Sequence, residues 1–174
     1  MKIGGSPDRL ISPSAEIVRL LPKAELRLSS SPVEVVPGVR TSGEVQRNSQ
    51  FENASSFLRG EAGQLVPDEL MDEQALFVST KKGIMVVTGC GHPGIVNIVQ
   101  QAKRQLDRKV FMVVGGLHMS MAAPDRILRT MEALKNLGVE HVAPMHCSGF
   151  TAMKSLSDRF VGFDLMVAGS QLEI

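Results

Sequence analysis

Ile84-Met85-Val86-Val87-Thr88-Gly89-Cys90-Gly91-His92 is the stretch on which the fold turns: an apolar, β-branched run enters glycines and a histidine, and a helix-like stretch follows. The pattern returns twice. Val110-Phe111-Met112-Val113-Val114 leads into Gly115-Gly116-Leu117-His118, and His141-Val142-Ala143-Pro144 leads into Met145-His146-Cys147-Ser148-Gly149. Short buried strands alternating with helices predict neighbouring strands of one sheet, an α/β arrangement in which ligands collect beyond the strand ends. His92, His118 and His146 then fall along one rim, and a borderline cation favours nitrogen ligands brought together from separate rigid elements.

Working outward, Ile95, Val96, Ile98, Val99, Ala102 and Leu106 share one side of a 3.6-residue period, as do Ile127, Leu128, Met131, Leu134 and Leu137. Both stretches predict core-facing helices. Pro124-Asp125 starts the second and Gly138 ends it, while Ser148-Gly149 opens a third that runs to about Phe160. A last strand is expected near Leu165 to Ile174. Before the first motif, Ala75 to Thr80 and Ile84 to Thr88 frame Lys81-Lys82-Gly83 as a hairpin.

Nearer the start, Ser12 reads as an N-cap and Pro13 as the first helical position of a short helix that stops before Pro22. Leu26-Arg27-Leu28, Val33-Glu34-Val35-Val36 and Val39-Arg40-Thr41 read as antiparallel strands separated by Pro- and Gly-containing breaks. Residues 46–72 are polar, interrupted by Gly60, Gly63 and Pro67, and show no sustained period. They predict a long loop within a single domain spanning 1–174.

The charge balance, 19 Lys and Arg against 18 Asp and Glu, leaves +1 and no strong field to attract nucleic acid or an anionic membrane. Seven Phe with neither Trp nor Tyr removes most stacking platforms for single-stranded nucleic acid. No stretch approaches the roughly 20 apolar residues of a membrane span, and the first thirteen residues lack the apolar run of a secretory leader. Cys90 and Cys147, each beside a histidine in a glycine-bearing loop, do not read as a disulfide framework. These features point to the reduced cytoplasm.

For one histidine alone, a satisfied loop or core position is the ordinary reading; three at the same place in successive units make a metal-facing set. His141 precedes its strand and reads as structural. Gly89-Cys90-Gly91-His92-Pro93-Gly94 also fits the G-x-G-x-x-G spacing between a strand and a helix. The acidic residue that a dinucleotide site wants after the next strand is missing, since that strand ends in Gly115-Gly116, although phosphate binding at the helix start stays open. A cysteine nucleophile at Cys90 or Cys147 with an imidazole base is a further alternative. Asp68, Asp72 and Glu73 read as a solvated acidic turn, one member of which faces the metal site in the sharper reading.

From about Val33 to Ile174 the chain resembles the second half of a metallo-β-lactamase-fold protein, in the branch of the dihydropterin-ribofuranosylaminobenzene-phosphate synthases. The resemblance is carried by Pro37-Gly38-Val39-Arg40-Thr41-Ser42-Gly43-Glu44, by Pro67-Asp68 with Asp72-Glu73-Gln74-Ala75-Leu76, and by Thr88-Gly89-Cys90-Gly91-His92-Pro93-Gly94-Ile95-Val96-Asn97. Gly115-Gly116-Leu117-His118-Met119 and Pro144-Met145-His146-Cys147-Ser148-Gly149 complete it. The resemblance implies the C-terminal half of an αββα sandwich (α+β by sheet type) with one or two divalent ions, zinc before manganese or iron, at the strand ends. His92, His118 and His146 would be metal-facing, with His118, standing where most of the superfamily carries an aspartate, as a ligand or a catalytic, substrate-facing residue. The implied activity is that of a metal-dependent hydrolase or pterin-biosynthesis synthase acting on a small pterin or phosphate ester. The family's histidine-rich first motif, H-x-H-x-D-H, has no counterpart, and no histidine precedes His92. The chain is then either a split enzyme whose partner supplies the N-terminal half or a standalone half-fold, monomeric or homodimeric, that binds metal or ligand without the parental chemistry; the alternative to an enzyme is a non-catalytic metal- or phosphate-binding half-domain that needs a partner chain.

Overall fold

The computed structural model describes residues 13–23, 26–52 and 57–174. Strands β1 (Glu34–Val36), β2 (Val39–Thr41), β5 (Leu76–Ser79), β6 (Ile84–Thr88), β7 (Val110–Gly116), β8 (His141–Met145) and β9 (Gly162–Phe163) form one mixed sheet in the order β1-β2-β5-β6-β7-β8-β9. Pairing is antiparallel from β1 to β6 and parallel from β6 to β9. The hairpin over Lys81-Lys82-Gly83 is present, with Ser79 opposite Ile84.

Helices α2 (Ile95–Leu106), α3 (Pro124–Asn136) and α4 (Phe150–Arg159) make the successive crossovers between the parallel strands. Because the strand order never reverses, right-handed crossovers place all three on the same face. There Ile95, Val99, Leu134 and Leu156 pack with Phe77, Ile84, Val86 and Val142 into the main core. The alternation of β6, with Ile84, Val86 and Thr88 buried and Met85 and Val87 half-buried, is the period-2 pattern of a strand with one well-covered face. On the opposite face a smaller cluster of Phe111, Met112 and Ala143 is covered by Met166 and Leu172.

Four sequence expectations change. Helix α1 spans Ala15–Leu20 with Ser14 as N-cap, its Oγ accepting from Ile17 N at 3.3 Å; Ser12 lies outside the described residues, and Pro22 sits in a 3₁₀ turn, Leu21–Lys23. Leu26-Arg27-Leu28 joins no ladder. The segment near Leu165 to Ile174 is irregular rather than a strand, because a turn in which Ser170 N donates to Val167 O and Ser170 Oγ accepts from Val167 N folds it back. The fourth change concerns the long loop over residues 46–72, which carries a hairpin of β3 (Leu58–Glu61) and β4 (Gln64–Pro67). Its two-residue turn places Ala62 at φ 49° and Gly63 at φ 81°, the doubly left-handed geometry that normally selects Asn-Gly or Gly-Gly. With alanine at the first position, and with Leu58 and Leu65 both exposed, neither a turn nor a burial signal was legible.

The start of that loop is fastened to α2. Asn97 Oδ1 accepts from Asn48 N (2.9 Å) and Ser49 N (2.7 Å), Gln101 Oε1 accepts from Gln46 N (3.0 Å), and the buried Glu52 carboxylate accepts from Val96 N and Asn97 N. Glu52 thereby satisfies amides that a helix start leaves without intrahelical partners, and its negative charge suits the positive end of the helix dipole.

Candidate metal centre

His92, His118 and His146 follow the C-terminal ends of β6, β7 and β8, the parallel neighbours at the centre of the sheet. His118 and His146 both adopt left-handed backbone, with φ of 47° and 53°. Such conformations are costly for residues with a β-carbon and concentrate where a side chain must be aimed. The loops are tied together laterally. Thr88 Oγ1 donates to Gly116 O (2.8 Å), while Ser148 Oγ accepts from Leu117 N (3.1 Å) and donates to Met145 O (2.7 Å).

The three rings fall into two groups. His92 and His118 stand against each other with centroids 4.4 Å apart, and Phe57 packs on both, at 5.0 Å from His92 and 5.9 Å from His118. His146 turns toward sulfur: its Nε2 lies 3.0 Å from Cys90 Sγ. Cys147 Sγ donates to Cys90 O at 3.2 Å.

Glu73, read from sequence as part of an acidic turn, is half-buried and fixes His92. Its Oε1 accepts from Gly91 N at 2.6 Å, its Oε2 accepts from His92 N at 3.1 Å, and Oε2 also meets His92 Nδ1. A carboxylate at Nδ1 assigns the proton there and leaves the Nε2 lone pair free, the orientation typical of a metal-ligating histidine. Burial works against ionisation of Glu73, but the hydrogen bond and charge of His92, with the two backbone amides, outweigh it and hold its pKa below the ordinary carboxylate value.

Burial, helped by the charges of His92 and Arg126, pushes the His118 pKa down to about 4, so the ring is neutral at pH 7; its Nδ1 is buried without a hydrogen-bond partner. Burial and the neighbouring Cys147 and Glu73 push the Cys90 thiol up to about 11. A thiol so reluctant to ionise is a poor nucleophile at neutral pH in the absence of a cation, which weighs against the cysteine–histidine alternative. Donors of this kind, imidazole nitrogens and two free thiols on separate rigid elements, suit a borderline cation such as zinc. His141, by contrast, starts β8 and meets Asp164 Oδ2 at 3.1 Å and the Phe111 ring at 5.1 Å, an ordinary structural histidine.

No protein-family model matches the chain. The crystal structure of Tm1679, a metal-dependent hydrolase of the β-lactamase superfamily, matches with a TM-score of 0.77 at 31% identity, covering 86% of this chain and 58% of that one. The chain thus carries the fold of the metallo-β-lactamase superfamily. Among curated proteins, the 7,8-dihydropterin-6-methyl-4-(β-D-ribofuranosyl)aminobenzene-5'-phosphate synthase of Methanocaldococcus jannaschii is 38% identical over 138 residues, 76% of this chain and 47% of the synthase. An uncharacterized protein of the same organism, MJ0448, is 33% identical over 138 residues, 79% of this chain and 51% of its own. The chain is a homologue of the synthase and spans about half the length of the curated relatives it matches.

Proposed function

We propose that the chain supplies the strand-end rim of a metal-dependent hydrolase or pterin-biosynthesis synthase, with His92, His118 and His146 facing one or two divalent ions. Zinc is the expected ion before manganese or iron, and the substrate is a small pterin or a phosphate ester. The observation that carries this reading is the grip of Glu73 on His92 Nδ1, which leaves the other ring nitrogen free beside His118. A divalent cation there would supply polarisation of a substrate oxygen. Neutral His118 would touch the substrate, giving or accepting one hydrogen bond, and Phe57 provides an apolar wall for a flat ring. No helix among the described residues is long and apolar enough to cross a membrane, and two free thiols agree with the reduced cytoplasm as the working compartment. Zinc-dependent turnover of a phosphate ester or a dihydropterin coupling, lowered about 10²-fold or more in His92→Ala, is the expected result. Turnover untouched by that substitution contradicts it.

One observation favours the second reading, a half-domain that acts through a partner chain or a second copy. At one edge of the sheet β1 leaves Val35 and Val36 more than half exposed, and beyond β9, at the opposite edge, Leu165 and Val167 are exposed to a similar degree. An edge strand with unpaired backbone and exposed apolar side chains suits pairing with a further chain. Sedimentation across a range of concentrations, with and without a co-expressed chain carrying an H-x-H-x-D-H motif, tests it: a dimer or complex supports the reading, and a monomer in both samples contradicts it.

A further inference from the structure

The rim holds two donors, Cys90 Sγ and Cys147 Sγ, that the three-histidine reading does not use. Among the described residues, the group of three potential ligands whose ligating atoms all lie within 4.8 Å of one another is Cys90, His146 and Cys147. Tetrahedral zinc, with Zn–S bonds of ~2.3 Å, holds two sulfurs roughly 3.8 Å apart. The observed group therefore needs only small side-chain adjustments to close around an ion. Cys90 and Cys147 are half-buried and His146 is exposed, so the group is accessible from solvent.

The backbone is shaped to keep these residues together. A β-carbon on Gly116 would sit 2.9 Å from both Cys147 Sγ and Cys90 Cα and would also strike Gly89 O, so only glycine lets the end of β7 pass between the two cysteine loops. The left-handed backbone at His146 aims its ring at Cys90 rather than along the strand.

We propose that Cys90, Cys147 and His146 bind zinc through two thiolates and one imidazole, leaving the fourth position open. The proposal rests on the metal-dependent reading above and deepens it by giving His146 to a sulfur-rich centre beside the His92 and His118 pair. On binding, both thiol protons pass to solvent and each sulfur contributes a lone pair to the ion, with no change of oxidation state. Thiolate ligation selects zinc and other thiophilic ions against magnesium, calcium and manganese.

Cobalt(II) serves as the spectroscopic probe, added to the reduced full-length chain. The expected result is a near-ultraviolet thiolate-to-cobalt charge-transfer band that saturates at about one equivalent and is displaced by zinc. The band falls by about half in Cys147→Ser, vanishes in Cys90→Ser/Cys147→Ser, and persists in His92→Ala/His118→Ala. Cobalt that binds without this band, or a band that survives the double serine variant, overturns the proposal while leaving metal-dependent activity at the histidines standing. The band with the expected cysteine dependence, but turnover indifferent to His92→Ala, upholds the proposal and sinks the functional reading. Should the serine variants fail to fold, alkylation of the unaltered chain decides: saturating zinc slows labelling of both cysteines about tenfold or more if the site exists, and leaves it unchanged if it does not.

Discussion

Glu73 and His92 are joined twice: one carboxylate oxygen meets both the backbone N–H and the Nδ1 of the histidine, while the other accepts from Gly91 N. Nineteen positions apart in sequence, the two residues come together because β5 and β6 pair antiparallel and bring the segment before β5 alongside the loop after β6. The carboxylate fixes both the tautomer and the direction of the ring.

Removing that orienting group weakens metal binding without removing a ligand. Glu73→Ala is expected to lower zinc affinity about 10–100-fold, measured by competition with a chromophoric chelator. Glu73→Gln, which keeps an acceptor oxygen, falls between the alanine variant and the unaltered chain. Equal affinities in all three would remove Glu73 from the site.

His118 makes the metal-free chain sensitive to acid. Its folded pKa of about 4 lies below the 6.5 of a free imidazole, so the unfolded state binds more protons in that interval. Stability is therefore fully present above about pH 6.5 and is lost as pH falls toward 4. Because the ring is only half-buried, the loss is discounted for solvent screening to about 1–2 kcal/mol. Urea unfolding at pH 7 and pH 4.5 should show this loss, and His118→Phe should shrink it.

Glu52 is buried and accepts from two amides at the start of α2. Glu52→Ala leaves those amides unpaired and should cost about 2 kcal/mol, read from the urea midpoint, with faster proteolysis within residues 46–52. Burial raises its pKa, outweighing the hydrogen bonds from Val96 and Asn97 that favour the charge, so ionising Glu52 costs more in the folded chain than in the unfolded one. Its contribution is greatest below the unfolded carboxyl pKa and declines as pH rises through the folded value. Glu52→Gln, uncharged at every pH, should lack that decline.

Gly116→Ala forces the β7 end against the Cys90 and Cys147 loops. A loss of about 1–3 kcal/mol is expected, together with loss of cobalt binding at the thiols. The same substitution at Gly60, where a β-carbon would have no neighbour within 4 Å, should be close to neutral.

Strands β6, β7 and β8 were legible because each is a compact apolar run followed by a glycine-bearing loop and a periodic helix, whereas β9, two residues at Gly162–Phe163, offers no such run. β6 spans Ile84–Thr88 as read, α3 begins at Pro124, and α4 follows Gly149. The β3–β4 hairpin was not legible, since its strands bury little and its turn uses Ala62 in a conformation that local preference disfavours. At the rim, the sequence placed three histidines at strand ends and offered one of Asp68, Asp72 and Glu73 as facing them, without singling out which. Glu73 sat in an acidic turn whose default reading is solvation, and the facing of His146 toward Cys90 depends on a left-handed backbone that no residue type announces. Such details are set by how loops from different strands meet, which only the folded chain displays.

Whether this rim holds metal through its histidines is decided by metal content per chain. Elemental analysis of protein purified without chelator, beside a His92→Ala/His146→Ala variant shown by circular dichroism to be folded, is the measurement. At least about one zinc per chain, lost in the variant, is the predicted result. A folded chain free of zinc, manganese and iron, or one whose metal is unchanged in the variant, would contradict metal binding by the histidines.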